Sequence, residues 1–304
     1  MAKLVKITDE DLKKLQKKNL EITEYLVKFC DEHNLRVYVF AGASLGAIRH
    51  KGFIPWDDDI DLIMPAPDYN KLLKIWDKEA DTKRYSLCYT TKTYNDHHMS
   101  ATVRDNNTTM VLEASVDTDT NQGVGVDFGP IHAAAKTKIG QFFQLIFACG
   151  GVLFLAGRLP NRQSKPVYLA SKVLLGIFRG EKVRYFLWSN LLKLASLPDK
   201  HYDKAKYVKE FSMFPFITWK YPAEWFAKAK RVPFETTEIP VPVGCEEYLK
   251  KRYGDYMKLP PEKDRHPEHR IAFMDLDTPY INYRGIKYFC KGNSKKGSSK
   301  KKNV

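Results

Sequence analysis

Apolar residues at Leu12, Leu15, Leu20, Ile22, Leu26 and Phe29 recur at helical spacing behind Thr8, a residue type that caps helix N-termini, and predict one long helix reaching about His33. The period then shortens. Residues 36–40 form a β-branched and aromatic run that reads as a buried strand, and it empties into residues 41–50, where Gly42 offers a tight turn and Ser44 a cap for a short helix. Ile60 and Leu62 alternate with Asp59 and Asp61, the pattern of a second strand with one face in the core. That strand stops at Pro65-Ala-Pro67, and Asp68 opens a helix with Tyr69, Leu72, Leu73, Ile75 and Trp76 as its apolar positions. Strand-like segments follow at residues 85–90, 101–103 and 124–128. Between about Lys136 and Tyr207 the pattern is helical again, with apolar stretches at 142–157, 167–178 and 185–197. A Trp- and Pro-rich stretch, 211–242, leads to a last helix at 245–253. This order implies a core at 1–135, a helical insertion at 136–209, a return to the core domain at 210–285 and a basic disordered tail at 286–304.

Composition narrows the class. With 304 residues and 43% hydrophobic content the chain can bury a proper core, which excludes wholesale disorder. Its five cysteines stand singly, with no C-x-x-C pair, and fit buried thiols in a reducing compartment better than a disulfide frame or a zinc site. The N-terminus opens on a polar, Lys-rich helix instead of a charged stub and an apolar stretch, so a cytoplasmic protein is expected. Net charge is +14, and residues 136–209 alone carry fourteen Lys and Arg against Glu181, Asp199 and Asp203. Such charge among apolar helices points to an anionic membrane surface, placing the protein peripherally on the inner face of the cell membrane, or to helices that bury each other as a subdomain. Nucleic acid, which favours a polar basic groove, is not expected as a partner. The run at 142–157 would reach about 24 Å as a helix, short of the roughly 30 Å hydrocarbon core, so it is expected to lie on a membrane instead of spanning it.

The candidate chemistry sits at residues 52–61, Gly-Phe-Ile-Pro-Trp-Asp-Asp-Asp-Ile-Asp, which crowds four acids into five positions beside an apolar strand. Two carboxylates about 4 Å apart repel by roughly 4 kcal/mol at an effective dielectric near 20, so a fold that holds them together needs cations between them. In an extended segment Asp59 and Asp61 project together while Ile60 points inward, and hard oxygen ligands so placed suit Mg²⁺ or Mn²⁺. Ahead of them, the helix start near Gly42 and Ser44 would aim backbone N–H groups at an anion, with Arg49, His50 and Lys51 close behind. Asp127, between Val126 and Phe128, is the candidate third carboxylate. Asp57 and Asp58 read either as solvated loop acids or as groups touching outer-shell water. His50, His97, His98 and His132 are each more often structural than catalytic when met singly. Asp127-Phe-Gly129 spells the kinase magnesium tripeptide, but the chain lacks the glycine-rich loop and the other kinase segments.

The order of helix cradle, basic cluster and Asp-x-Asp resembles the nucleotidyltransferase fold, and residues 38–69, YVFAGASLGAIRHKGFIPWDDDIDLIMPAPDY, resemble the signature of the LicD family of phosphotransferases. That family includes bacterial phosphocholine transferases and the fukutin-related proteins. Residues 101–109, 123–130, 248–257 and 260–263 resemble its later segments, so the likeness runs from about Asp9 to His269. One departure is Gly129-Pro-Ile-His132, where the family often has Phe-Pro-Leu-Asp. The resemblance implies a mixed α/β, nucleotidyltransferase-like sheet with flanking helices and a basic, apolar helical insertion. It further implies an enzyme that moves a phospho-substituted group from a CDP-linked donor to a hydroxyl of a cell-surface glycan or its lipid-linked precursor, as in capsule, teichoic acid or lipopolysaccharide synthesis, releasing CMP. In that reading Asp59, Asp61 and Asp127 hold metal and catalyse, while Gly42, Ser44, Arg49, Lys51 and Arg104 bind the donor phosphates. Phosphocholine is the favoured group, with an aromatic cage sought among Trp219, Tyr221, Trp225 and Phe226. Ribitol or glycerol phosphate, for which His132 and Asn121 offer hydrogen bonds, is the alternative. An NMP-adding nucleotidyltransferase and a non-enzymatic basic binding module stay open beside these.

Overall fold

The computed structural model describes residues 4–95, 97–159, 164–212 and 214–290; the final residues of the expected tail lie outside that range. Helix α1 (Asp9–Glu32) starts at a capping box in which Thr8 and Asp11 satisfy each other's backbone N–H groups, and it buries Leu12, Leu15, Leu20, Ile22, Leu26 and Phe29. Strand β1 (Tyr38–Phe40), helix α2 (Ala41–His50), strand β2 (Asp61–Pro65) and helix α3 (Ala66–Glu79) follow. Next come β3 (Tyr85–Cys88), β4 (Ala101–Asp105), β5 (Thr109–Leu112) and the long β6 (Val124–Ala133). The insertion is α4 (Lys138–Ala156), α5 (Lys165–Ile177) and α6 (Glu181–Ala195). After it the chain forms β7 (Tyr207–Glu210), α7 (Phe214–Ile217), β8 (Tyr221–Pro222), the hairpin β9 (Ala229–Phe234) and β10 (Thr237–Pro242), α8 (Cys245–Tyr253) and β11 (Ile271–Asp275).

The main sheet is mixed, in the order β1-β2-β6-β4-β3, with β7 also on β6 and β8 on β7. Only the β2–β6 pair within it is parallel. Because β4 pairs with residues 124–128 of β6 and β7 with residues 131–133, both on the edge away from β2, that edge is left open at Gly129 and Pro130. Tyr25, Phe29, Trp76 and Tyr85 close one end of the core, where α1 meets α3 and β3.

The insertion leaves the sheet after β6 and returns at Tyr207, so β7 straddles the boundary expected at Lys209. Gln144, the polar break in the apolar run, is buried: its amide donates to the carbonyls of Ala133 and Ala195 and accepts from the Ala135 N–H, bolting α4 to β6 and α6. Two small apolar clusters pack the insertion: one joins Ala148 and Val152 to Phe211 and Ile217 of the returning chain, and the other gathers Leu153, Phe154 and Leu175 within it. Many of its apolar side chains still face outward, among them Phe142 (59% exposed), Leu169 (61%) and Phe186 (63%).

Two peripheral pairings position the loops of interest. The β9–β10 hairpin tip brings Glu235 to the loop between α2 and β2, where its carboxylate accepts from the Phe53 N–H at 2.9 Å and its N–H donates to the Lys51 carbonyl. A Cβ at Gly52 would lie 2.1 Å from that carboxylate, so any side chain there would push Glu235 off the Phe53 N–H. On the other side β11 pairs with β5, and the segment leading into β11 lies against the acids.

Candidate active site

Strand register brings the acids together. Asp61, at the start of β2, stands opposite Asp127 of the parallel strand β6, and opposite Phe40 of β1 on its other edge. Ile60 is 1% exposed and anchors the chain between Asp59 and Asp61, as the alternation predicts. Thr102 on β4, the register partner of Asp127, donates its hydroxyl to Asp127 Oδ1 at 2.5 Å and so orients that carboxylate.

The turn from β1 into α2 is made by Ala41, with φ of 48°, and not by Gly42. What Gly42 supplies is room, since a Cβ there would lie 2.8 Å from Asp57 Oδ2. Helix α2 has no side-chain cap: its N-cap is Phe40, and Ser44, expected as the cap, is fully buried with its hydroxyl donating to the Val39 carbonyl. Its N–H groups nonetheless start beside the acids, with Ala41 lining the same cavity as Asp61.

Asp58 is not a solvated loop acid. It is 1% exposed, its carboxylate accepts from both the backbone N–H and Nδ1 of His269 at 3.1 Å, and its carbonyl accepts from Asn19. Nothing in the sequence pointed to His269 as the partner of Asp58, because the two lie more than two hundred positions apart and leave no local signal. Asp58, Asp59 and His269 converge closely enough to suggest a metal trio. His269, however, spends Nδ1 on Asp58, to which it donates at 3.1 Å, and that bond is the chief cause raising its pKa to about 9.

Electrostatics set the acids apart from ordinary carboxylates. Burial, then the charges of Asp59, Asp127 and Asp57, holds Asp61 well above its usual range. Burial followed by Asp59 and Asp58 pushes Asp57 up to about 7, and burial with Asp58 and Asp127, opposed by His269, takes Asp59 to about 6. For Asp58 burial acts upward but the His269 contacts win, and its carboxyl is lowered. Asp57, Asp59 and Asp61 are all held above the ordinary carboxylate range, the sign of a cluster in which positive charge is wanting. Asp59, Asp61 and Asp127 offer oxygen alone, and so fit a hard divalent cation.

A stability prediction follows. Folded Asp57 and Asp59 bind protons more tightly than the unfolded chain does, so their contribution is present below about pH 4 and lost as pH rises through about 6 to 7. His269 works in the same direction, its contribution fading as pH rises through about 9. In chelator the melting temperature should therefore fall between pH 5 and pH 8, and added Mg²⁺ should raise it more at pH 8 than at pH 5. Differential scanning fluorimetry decides, and a Mg²⁺ effect independent of pH would contradict the arrangement.

Asp61 and Asp127 open into a cavity of about 540 Å³ between the sheet edge at Gly129 and the C-terminal half of α4. Among the other expected residues, Arg49 spends its guanidinium on the Tyr256 carbonyl and on His50, Arg104 donates to the Gly123 carbonyl at 2.7 Å, and Lys51 is exposed beyond the end of α2. None of the three lines this cavity. The proposed aromatic cage is likewise elsewhere, with Tyr221 and Phe226 in the core and Trp219 and Trp225 packed against it. Asn121 is occupied by Asn106 and Gly123, whereas His132 does line the cavity, bonded to Asp199 at 2.7 Å and stacked on Phe211. Arg252 and Glu210, which the sequence did not single out, form a buried pair at 2.8 Å in the cavity wall.

Residues 34–133 match a family model described as LicD/FKTN/FKRP, nucleotidyltransferase domain. The chain is 29% identical over 269 residues to the lipopolysaccharide cholinephosphotransferase LicD of Haemophilus influenzae, an alignment covering 82% of this chain and 92% of that protein. It is also 34% identical over 64 residues to an uncharacterized protein of Rickettsia prowazekii, covering 19% of this chain and 24% of that one.

Proposed function

We propose, since the chain belongs to the LicD family, that it is a phosphotransferase moving phosphocholine from CDP-choline to a hydroxyl of a cell-surface glycan or its lipid-linked precursor. The observation that carries this reading is Asp61 placed opposite Asp127 on parallel strands, with Asp59 beside them, at one end of a cavity large enough for substrate. Asp59, Asp61 and Asp127 would hold Mg²⁺ or Mn²⁺, and a cation bound there supplies Lewis-acid polarisation of phosphoryl oxygens and lowers the pKa of a hydroxyl. The protein's own contribution is position. Thr102 fixes the lone-pair direction of Asp127, and the Asp58–His269 pair braces the loop carrying Asp59. The start of α2, where Ala41 lines the cavity, would present its positive end to the pyrophosphate, and Gly42 makes room there for Asp57. The acceptor oxygen attacks the phosphorus bearing the choline, the bond to the CMP oxygen breaks, and CMP leaves.

The test is release of CMP when protein and Mg²⁺ are mixed with CDP-choline, CDP-ribitol or CDP-glycerol in turn. Release with CDP-choline is expected. Release with a polyol donor alone would change the head group, and incorporation of NMP from an NTP with release of pyrophosphate would replace the reading by an ordinary nucleotidyltransferase.

The insertion supports a second element, attachment to an anionic membrane surface. Outward apolar side chains such as Phe142, Phe143 and Leu169 alternate with exposed Lys138, Lys165, Lys172 and Arg179. Helix α4, at 19 residues, is long and apolar enough to cross a membrane, yet Gln144, Ala148 and Val152 are packed inside the protein, which favours lying on the surface. Basic residues near such a surface contribute about 1 kcal/mol each, and salt screens them. Sedimentation with anionic liposomes, weakened by salt and weaker still with neutral ones, is the expected result; indifference to both lipids would remove this element.

A further inference from the structure

Resting on the phosphotransferase reading for its place beside the carboxylates, we propose that the far half of the cavity is an acceptor subsite for an apolar chain that ends in a phosphate. The wall supplied by the insertion is Val152, Leu155 and Ala156 of α4, with Phe211 and Phe214 facing from the segment after β7. These side chains offer no hydrogen bond to a ribose, a base or a pyrophosphate, so a CDP-linked donor gains little from them. A hydrocarbon chain gains with every methylene it buries.

The charges around the same cavity suit an anion at the end of that chain. Gly157 ends α4 in the left-handed region, with φ of 60°, and the turn sets Arg158 on the cavity wall. Arg158 is exposed and makes no ion pair or hydrogen bond with any described residue. Arg252 lies in the same lining, held by Glu210, so the one acid of this half among the described residues is already neutralised. A cation with no partner among the described residues, beside an apolar slot, recognises a phosphate with a greasy tail, the chemistry of a lipid-linked glycan, better than it recognises a free sugar. Helix α4 also bears Phe142 and Phe143 outward, which puts the slot in the element nearest the membrane face proposed above.

The probe is n-dodecyl phosphate, titrated calorimetrically below its micellar concentration into the full chain without nucleotide, with inorganic phosphate as the comparison. Wild type should bind dodecyl phosphate at least about tenfold tighter than inorganic phosphate, as burial of a few methylenes requires. Ala156→Phe and Val152→Phe, which fill the slot, should each erase that advantage, and Arg158→Ala should weaken both ligands. Ile286→Ser, at an exposed apolar residue outside both the insertion and the cavity, should change neither. Circular dichroism identifies any filler that fails to fold, and the other then decides. No advantage for the dodecyl chain, an advantage that survives the fillers, or one abolished by Ile286→Ser would overturn the subsite. Because the assay contains no nucleotide, failure of CMP release would count against the phosphotransferase reading separately.

Discussion

Asp61→Asn and Asp127→Asn should each lower turnover by at least about a hundredfold, the scale of losing one charge partner of a transition state. The two carboxylates face each other across β2 and β6, and neither neighbour can substitute: Asp58 is committed to His269, and Asp57 lies against Gly42. The fold should survive. Burial and the surrounding acids already hold Asp61 well above its usual range, so in metal-free protein its charge works against the folded state. Asp61→Asn removes that repulsion, and the melting temperature in chelator at pH 8 should stay level or rise as activity disappears. Mg²⁺ should then stabilise the variant less than it stabilises wild type. Turnover close to wild type would remove the metal-site assignment, and a large loss of stability in chelator would show that Asp61 serves the fold instead of the chemistry. A group that costs stability and supports activity is what a functional site is expected to contain.

The carboxylate geometry was legible because it depends on short-range periodicity. Ile60 between Asp59 and Asp61 is a period-two signal, and a strand with one buried face makes it nearly compulsory. Helix α1 was legible for the same reason, its apolar spacing and Thr8 cap being local. The cradle shows where local reading stops. Gly42 and Ser44 suggested a glycine turn and a capped helix, yet Ala41 takes the left-handed conformation and Ser44 turns its hydroxyl back to Val39. Tertiary packing decided both: Tyr248, stacked on Phe40, receives the Ala41 N–H, and Gly42 is needed small because Asp57 presses on it.

Long-range pairings were invisible in the sequence. Strands β5 and β11 are four and five residues long, lie far apart in the chain and show no clean alternation, so only their pairing defines them. The hairpin of β9 and β10 was hidden by Pro233, Pro240 and Pro242, residues that argue against a central strand. A two-stranded ribbon leaves each strand one open edge, where a missing N–H costs little. Both pairings matter to the site, since one carries His269 to Asp58 and the other braces the acidic loop through Glu235. Arg49 and Arg104 stood at suggestive positions and proved to hold carbonyl groups instead, whereas Arg252, one of two arginines lining the cavity among the described residues, looks in the sequence like one more charge on the helix it shares with Lys250 and Lys251.

Glu210→Ala should be the most destabilising single change at the cavity. Arg252 is nearly buried, its Nη1 donates to Glu210 Oε1 at 2.8 Å, and its guanidinium lies 4.0 Å over the Phe216 ring. Burial keeps the Glu210 carboxyl above its ordinary range even beside Arg252, while Arg252, against its own desolvation, is held protonated by Glu210 and the surrounding tyrosines. The two directions differ because the guanidinium stays charged in any case and the carboxylate bears the cost of desolvation. Deleting Glu210 thus strands a buried cation, at about 3–5 kcal/mol. In a chain of this size that corresponds to a fall in melting temperature on the order of 10 °C. Replacing both partners with apolar side chains of similar volume, Glu210→Leu with Arg252→Met, should restore much of the loss, because no unpaired charge remains. The double variant keeps Arg158 and should still bind a phosphate in the cavity. Stability of Glu210→Ala within about 1 kcal/mol of wild type would mean that water reaches Arg252 and the pair is not structural. Loss of phosphate binding by the stable double variant would mean that the ligand meets Arg252 as well, and that the pair does not serve the fold alone.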